Sequence, residues 1–275
     1  VATSLSDYIF PSLLKDIQSC LAAQGFSVVI HATENAIRRE REILQQLLLD
    51  PPAGILIEGC KTALPNPNAE LYREIQKRGL PMTFLHGNCR ELPEAFCVGD
   101  DNYGGGYLLA SHLLQNGHKK IAGIFKSDDV QGPERYHGMV CAMRDAGLFP
   151  LDENVLWFSS FQRRQLVELQ DESLLQSFLR QQLGGCTAVV CYNDEIAFHL
   201  IRTLLRAGMR VPEDVAVVSF DNSYYSTFGP VSITSAGHAP HAMGSAAAEN
   251  LLSQIRRQPC RSISLPWTLF RRQSG

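Results

Sequence analysis

Short apolar runs alternate with longer amphipathic segments along the whole chain, and this alternation restricts the fold more than any other feature of the sequence. A short apolar run bounded by polar residues predicts a buried strand, whereas apolar residues spaced three and four apart predict a helix. Strand followed by helix, repeated many times, predicts parallel sheets with helices on both faces. The predicted fold class is therefore α/β with doubly wound parallel sheets.

The same pattern places the individual elements. Strands are predicted at Val1–Leu5, Ser27–Ala32, Gly54–Glu58, Pro81–Leu85, Phe96–Gly99, Lys120–Phe125, Asn154–Phe158, Thr187–Cys191, Val215–Phe220, Ser232–Ala236 and Ser264–Leu269. Helices are predicted at Pro11–Gln24, Asn35–Leu49, Asn68–Lys77, Tyr103–Asn116, Glu134–Asp145, Asp171–Leu183, Asp194–Ala207 and Ala239–Ile255. A doubly wound sheet of about five or six strands uses only half of such a chain, so two lobes are expected.

Composition and charge exclude several classes of protein. The 25 basic and 28 acidic residues leave a net charge of −3, whereas a surface that binds nucleic acid is strongly basic, so this chain alone is not expected to hold DNA. The longest apolar runs are far shorter than the roughly 20 residues of a membrane span, and the first residues carry no secretory signal. The 8 cysteines form no CxxC pair, which indicates reduced thiols and a cytoplasmic protein.

Polar and aromatic side chains collect directly after the predicted strands. Ligands of open α/β sheets bind beyond the carboxyl ends of the strands, so these positions form the predicted site. They include Tyr8, Phe10, Glu58, Lys61, His86, Gln131, Arg135, Phe161, Asn193 and Asp221. This mixture of carboxylates, amides, isolated cations and rings suits a sugar, whose hydroxyls donate and accept and whose C–H face packs on rings. A nucleotide would instead need clustered glycines or cations.

Several of these residues have a purely structural alternative. Asp194 is predicted as the N-cap of the helix that begins at Glu195, and Asn193 can satisfy backbone groups of its own turn. Arg135 can be an ordinary surface residue of its helix. Asp221 follows a buried strand, which favours contact with a ligand over capping.

Signatures of catalysis and metal binding are missing from the sequence. It contains no GxSxG, no GxxxxGK[ST], no HExxH and no spaced Cys/His cluster. These are the local signatures of hydrolases, nucleoside triphosphatases and zinc enzymes. We therefore expect no enzyme activity, no metal and no cofactor.

Segments along nearly the whole chain carry a resemblance to a known family. They are Asp101–Gly106, His112–Ile121, Glu134–Gly138, Tyr192–Ala197 and Gly208–Asp221. Together they resemble the effector-binding domain of the lactose and galactose repressor family, which is related in fold to periplasmic sugar-binding proteins. Within that family, the segments Ser6–Pro11 and Lys61–Asn68, together with His238, resemble the arabinose-responsive subgroup.

The resemblance implies a specific domain organisation. Two doubly wound parallel-sheet lobes would be joined by a three-crossover hinge. The N-terminal lobe would comprise residues 1–117 plus 241–258, and the C-terminal lobe residues 118–240 plus 259–275. The helix and the last strand near the C-terminus would then be one element returned to each lobe.

The resemblance also implies roles for site residues. Arg135, Asn193 and Asp221 would grip sugar hydroxyls, Phe161 would pack on the sugar ring, and His238 would stand at the hinge. The first lobe would contribute Tyr8, Phe10, Lys61 and His86, and the subgroup likeness adds Glu58 and Gln131.

The implied function is sugar sensing by a bacterial transcriptional repressor. The chain would bind L-arabinose between its lobes, close, and so lower the affinity of an attached winged-helix domain for operator DNA, a domain absent from this chain. A homodimer is implied because such repressors read paired half-sites. The alternative is a periplasmic sugar-binding receptor of a transporter, which would use the same fold.

Overall fold

The chain divides into two compact units. The structure, a computed structural model, describes residues 1–4, 9–87 and 91–275. Unit 1 comprises Val1–Asp100 and Ala239–Leu265, and unit 2 comprises Asp101–His238 and Pro266–Gly275. The chain therefore passes between the units three times.

Unit 1 is a parallel sheet with helices around it. Its elements are α1 Phe10–Ala22, α2 Ile37–Leu49, β1 Ile55–Ile57, α3 Ala69–Lys77, β2 Met82–Leu85, β3 Phe96–Asp100, α10 Ala242–Ile255 and β9 Ile263–Leu265. The described strands form one sheet in the order β1-β2-β3-β9, and every pairing is parallel. The strands β1 and β2 bury Ile57 and Phe84 in the core of this unit.

The first two predicted strands are not regular strands in the structure. In the described residues of Val1–Leu5 and Ser27–Ala32, the ladder is a single parallel bridge between Ala2 and Ala32. The Ala2 amide donates to the His31 carbonyl at 2.9 Å. Val29 remains 74% exposed, so this apolar run is not covered on its outer side as a buried strand would be.

Unit 2 carries the larger sheet. Its elements are α4 Asn102–Gln115, β4 Ile121–Lys126, α5 Gln131–Asp145, a short 3₁₀ turn at Asp152–Asn154, β5 Val155–Phe158, α6 Ser160–Val167, α7 Ser173–Gln181, β6 Ala188–Cys191, α8 Asp194–Arg206, β7 Ala216–Phe220, α9 Tyr225–Phe228, β8 Thr234–Gly237 and β10 Thr268–Phe270. The described strands follow the order β10-β8-β7-β6-β4-β5. Among these described strands, only the edge strand β10 runs antiparallel to its neighbour, β8.

The central strands of unit 2 are buried on both faces. All residues of β4, β6 and β7 are buried, which explains why they read as continuous apolar runs rather than alternating ones. Because β4, β6 and β7 lie side by side and parallel, the residues that follow them reach the same edge of the sheet.

The first unit boundary differs from the predicted one at residue 117. Helix α4 belongs to unit 2 because it packs directly on α5. A Cβ atom at Gly106 would overlap the carbonyl oxygen of Arg135, and one at Gly138 would overlap that of Tyr103. Glycine at both positions therefore lets the two helix backbones approach closely.

The last boundary differs as well. Residues 259–265 were predicted in the C-terminal lobe, but β9 pairs with β3 of unit 1, with Val98 opposite Ile263. The chain enters unit 2 for the last time at Pro266. A short strand that pairs at a sheet edge gives no sequence signal of which sheet it joins.

Candidate functional site

Arg135 is the centre of the polar cluster in unit 2. Its side chain is buried on α5, with 1% of the residue exposed. Its Nε donates to Oδ1 of Asn102 at 3.0 Å, and its Nη1 donates to the carbonyl oxygen of Tyr192 at 2.5 Å. Nη2 lies 3.9 Å from Oδ1 of Asp221. Arg135 is thus not the surface residue of the structural alternative, because it is held at the sheet edge by partners from α4 and from the end of β6.

Three aromatic rings surround the same guanidinium group. Its central carbon lies 4.2 Å from the ring centroid of Phe220, 5.1 Å from that of Tyr192 and 5.3 Å from that of Trp267. A cation within about 6 Å of a ring centroid is attracted by the ring's electron-rich face, most strongly where water is excluded. The rings therefore help to stabilise the buried positive charge of Arg135.

Asp221 follows β7 in an unusual backbone conformation. Its φ is +95° and that of Asn222 is +48°, in the left-handed region that L-residues other than glycine rarely adopt. The Asp221 amide donates to the carbonyl of Ala236 at 2.7 Å. The carboxylate side chain is 12% exposed, so a ligand can reach it beside Arg135.

Asn193 caps helix α8, which corrects the prediction that Asp194 does so. Its Oδ1 accepts a hydrogen bond from the amide of Ile196 at 3.0 Å. The structural alternative for Asn193 is therefore correct for its oxygen. Its Nδ2 amino group remains as a donor at the sheet edge. Asp194 is instead the first helical residue and is fully buried.

Gln131 and His238 join the same cluster through neighbouring rings. The Tyr192 hydroxyl donates to Oε1 of Gln131 at 2.8 Å. The His238 ring stacks on Trp267 with centroids 3.9 Å apart, and its Nδ1 lies 2.9 Å from the carbonyl oxygen of Pro266. Since a carbonyl only accepts, Nδ1 is the donor in this contact.

Phe161 stands apart from this cluster. It is the second residue of α6 and is 70% exposed. The carboxylate of Asp128 accepts from the amide of Ser160 at 3.1 and 3.0 Å, which fixes the start of that helix. Within the described ranges, no contact links the Phe161 ring to Arg135 or Asp221.

Unit 1 holds the other predicted site residues in two places. The rings of Phe10 and His86 are 6.5 Å apart, edge to face, and Nδ1 of His86 lies 3.2 Å from Oδ2 of Asp100. Glu58 accepts from the backbone amide and the hydroxyl of Thr3. Tyr8 lies outside the described residues.

Lys61 is positioned by its backbone rather than by its ammonium group. Its φ is +50°, and its amide donates to Oδ1 of Asn35 at 3.2 Å. The adjacent Cys60 amide donates to the buried carboxylate of Glu40 at 2.7 Å. The same carboxylate accepts from the side-chain amides of Asn66 and Asn68. Glu40 thus anchors the segment that carries Lys61, a role that its position within a charged helix did not suggest.

A cavity of about 440 Å³ lies elsewhere in unit 1. It is lined by α1 residues including Phe10, Leu13 and Ile17, by the segment 25–31 and by β1. Among the described residues that line it, Phe10 is the only predicted site residue. These described residues include no carboxylate and no amide side chain to hold hydroxyls, so they lack the chemistry of a sugar site.

No helix in the described part of the chain is long and apolar enough to cross a membrane. No group of three or more His, Cys, Asp or Glu side chains in the same ranges is arranged to hold a metal ion.

Trp267 and Asn102 are the site residues that the sequence analysis missed. Asn102 is buried and binds both Nε of Arg135 and, through Nδ2, Oε2 of Glu134 at 3.2 Å. Trp267 lies between Arg135 and His238. The position of Trp267 just before the edge strand β10 is the one sequence feature that could have indicated its role. The sequence does not show, however, that this residue lies beside Arg135 of α5.

Comparisons with known proteins point in one direction. Residues 110–275 match the family of periplasmic binding protein-like domains. An arabinose metabolism transcriptional repressor of Halalkalibacterium halodurans is 32% identical over 258 residues, which cover 94% of this chain and 68% of the relative. A repressor of the same name from Geobacillus stearothermophilus is 33% identical over 259 residues, which cover 94% and 70%.

A solved structure shows the same fold over the whole chain. The transcription regulator CcpA of Lactococcus lactis superposes with a TM-score of 0.85 at 20% identity, and the match covers 99% of this chain and 96% of that one.

Proposed function

Because this chain belongs to the family of periplasmic binding protein-like domains, we propose that it is the effector-binding domain of a sugar-responsive transcriptional repressor and that L-arabinose is the effector. The observation that carries the proposal is the buried Arg135 beside the carboxylate of Asp221, inside a cage of aromatic rings. The names of the two repressor relatives support the choice of sugar.

The polar groups of unit 2 suit the hydroxyls of a pentose. Asp221 accepts from hydroxyl groups, whereas Arg135 and Nδ2 of Asn193 donate to their oxygens. Hydrogen bonds that involve a charged group are worth about 1.5–3 kcal/mol each, roughly twice a neutral one. Phe161 offers an exposed ring for the C–H face of the sugar.

Unit 1 is proposed to contribute a second set of side chains, namely Phe10, Glu58, Lys61, His86 and Tyr8.

Sugar binding is proposed to control an attached DNA-binding domain. L-arabinose, bound between the lobes, would favour a closed arrangement with lower affinity for operator DNA. Coupling of this kind between two sites is typically worth about 1–3 kcal/mol, which changes affinity roughly 5-fold to 150-fold. The sugar leaves unchanged, since no covalent step is involved.

Calorimetric titration tests the ligand. The purified chain is titrated with L-arabinose, D-xylose, D-ribose, D-galactose and glucose under identical conditions. We expect saturable one-to-one binding of L-arabinose and at least tenfold weaker binding of the others. Binding confined to another member of the panel would overturn the choice of sugar, and silence across the panel would overturn the proposed function. Recovery of the bound sugar unchanged tests the absence of turnover.

The proposed partner is a second copy of the chain, in the cytoplasm. Sedimentation equilibrium of the purified chain is expected to give a dimer with free thiols. Thiols that form no disulfide in the structure support this expectation, namely those of Cys20, Cys60, Cys141, Cys186, Cys191 and Cys260. A monomer with closed disulfides would contradict the repressor and favour a periplasmic receptor.

A further inference from the structure

Asp194 is a fully buried carboxylate at the start of α8. Its Oδ1 accepts from the hydroxyls of Ser219 and Ser235. Its Oδ2 accepts from the amide of Ser223 at 2.7 Å and from the Ser223 hydroxyl at 2.9 Å. One side chain thus ties together the end of β7, the middle of β8 and the turn that follows Asp221.

This carboxylate has no cation to compensate its charge in the described structure. Within the described residues it accepts hydrogen bonds from three neutral serine hydroxyls and one backbone amide. Burial, followed by the negative charge of Asp221, raises the pKa of Asp194 to about 7, although the hydrogen bonds from serine act in the opposite direction. A buried charge without a counter-ion is costly to stability, and such costly groups concentrate at functional sites.

The turn held by Asp194 is the strained turn of the proposed sugar site. The Asp221 and Asn222 backbones are left-handed, which costs about 1–3 kcal/mol for each such residue unless its surroundings enforce it. A chain of hydrogen bonds that ends at Asp194 holds this backbone conformation. The Asn222 amide donates to Oγ of Ser235 at 3.0 Å, and that hydroxyl donates to Asp194 at 2.7 Å. The next amide, of Ser223, donates to Asp194 directly.

We propose that Asp194, in its ionised form, is a positioning residue. It holds the turn 221–223, so that the Asp221 carboxylate stays beside Arg135 and can bind the effector. This inference rests on the proposed function, because it needs Asp221 to bind the sugar. Asp194 itself does not touch the ligand; its first-turn position behind the cap residue Asn193 and its complete burial place it behind the site.

The groups that face Asp194 are few. Asp221 acts on it from the turn after β7, and the Cys191 thiol of β6 interacts with it from the adjacent strand. Arg135 of α5 lies beside Asp221, with its Nη2 3.9 Å from Oδ1 of that carboxylate. Removal of the Asp194 charge therefore alters the site mainly through Asp221.

A double-mutant cycle tests the inference. L-arabinose affinity is measured for the wild type, Asp194→Asn, Asp221→Asn and the double variant, with exposed Asp152→Asn as the matched control. We expect Asp194→Asn to weaken binding about tenfold or more, Asp152→Asn to bind as the wild type, and the double variant to bind no more than twofold worse than Asp221→Asn. Since Asp194 acts through Asp221, losses that add in the double variant would overturn the inference.

The pH profile supplies a second readout. Between pH 6 and pH 8 the affinity of the wild type is expected to rise as Asp194 ionises, whereas that of Asp194→Asn stays within twofold. Identical profiles would overturn the inference. If circular dichroism shows that Asp194→Asn does not fold, Ser235→Ala is measured instead. This variant removes the hydrogen bonds that link the Asn222 amide to Asp194. Unchanged L-arabinose affinity in Ser235→Ala would also overturn the inference.

The wild-type titration separates the two claims. If the wild type binds L-arabinose but Asp194→Asn binds it equally well, only the inference fails. If the wild type binds no sugar of the panel, the proposed function fails and the inference falls with it.

Discussion

Replacement of Arg135 by alanine removes a buried cation from the proposed sugar site. In the structure, its guanidinium group donates to Asn102 and to the carbonyl of Tyr192 and stands 3.9 Å from Asp221. Arg135→Ala leaves the acceptors of Asn102 and Tyr192 without this donor. It also removes the positive charge that lies 3.9 Å from the Asp221 carboxylate.

The expected loss of affinity follows from the hydrogen bonds that a sugar hydroxyl would make to the guanidinium. One hydrogen bond to a charged group is worth about 1.5–3 kcal/mol, and each 1.4 kcal/mol changes an affinity about tenfold. A single lost bond therefore weakens binding by about 10-fold to 150-fold. Ordinary domains have about 5–15 kcal/mol of stability, so the variant is expected to stay folded.

Isothermal titration calorimetry with L-arabinose measures the effect. The matched control is Arg144→Ala, which removes an arginine of the same helix whose side chain is 68% exposed. We expect Arg144→Ala to bind as the wild type, while circular dichroism shows both variants to be folded. An affinity of folded Arg135→Ala within twofold of the wild type would refute the reasoning, because the buried cation would then contribute nothing to binding.

Three further predictions concern stability and the aromatic cage. The pKa of Asp194 is raised from 3.8 to about 7, so between these pH values the folded state holds a proton that the unfolded state has released. This group should therefore lower the free energy of unfolding of the wild type as pH rises from about 4 to 7. Urea titrations of Asp194→Asn should lack this decrease, and the same pH dependence in both proteins would contradict the prediction. Gly138→Ala places a Cβ against the Tyr103 carbonyl and should lose about 1–3 kcal/mol in the same assay, whereas Gly184→Ala, whose nearest neighbour is 3.9 Å away, should change little. Trp267→Ala opens the cage around Arg135 and should weaken L-arabinose binding about tenfold by calorimetry, and a change below twofold would contradict a role for the ring.

Much of the fold could be predicted because its signals are local. The buried run of β7 and the periodic α8 lie close to their predicted bounds. The run Ser27–Ala32 has the same apolar character, but its pairing is limited to the bridge at Ala32. Strand formation there depends on a neighbour to pair with, and composition does not report that.

The boundaries between units could not be predicted because they depend on long-range packing. Helix α4 follows β3 in sequence, so the alternation assigns it to the first lobe. Its close contact with α5 through Gly106 and Gly138 decides otherwise. The sequence does not show that two glycines on separate helices face each other in the folded chain.

The site was predicted in part for similar reasons. Residues directly after strands, such as Asn193 and Asp221, can be found because parallel strands end at one edge of the sheet. Trp267 could not, since it reaches Arg135 from the other end of the sequence. The prediction of Asp194 as the cap of α8 was wrong, because either side chain can cap a helix. The structure shows the Ile196 amide donating to Asn193 and the Ser235 hydroxyl donating to Asp194.

A crystal structure of the chain grown with L-arabinose tests the central claim most directly. We expect one sugar molecule whose hydroxyls lie within hydrogen-bond distance of Arg135 and Asp221. We expect Asp194 to lie behind these two residues, bound to Ser223 as in the free chain. A sugar bound away from Arg135 and Asp221, for example in the apolar cavity beside α1, would contradict it.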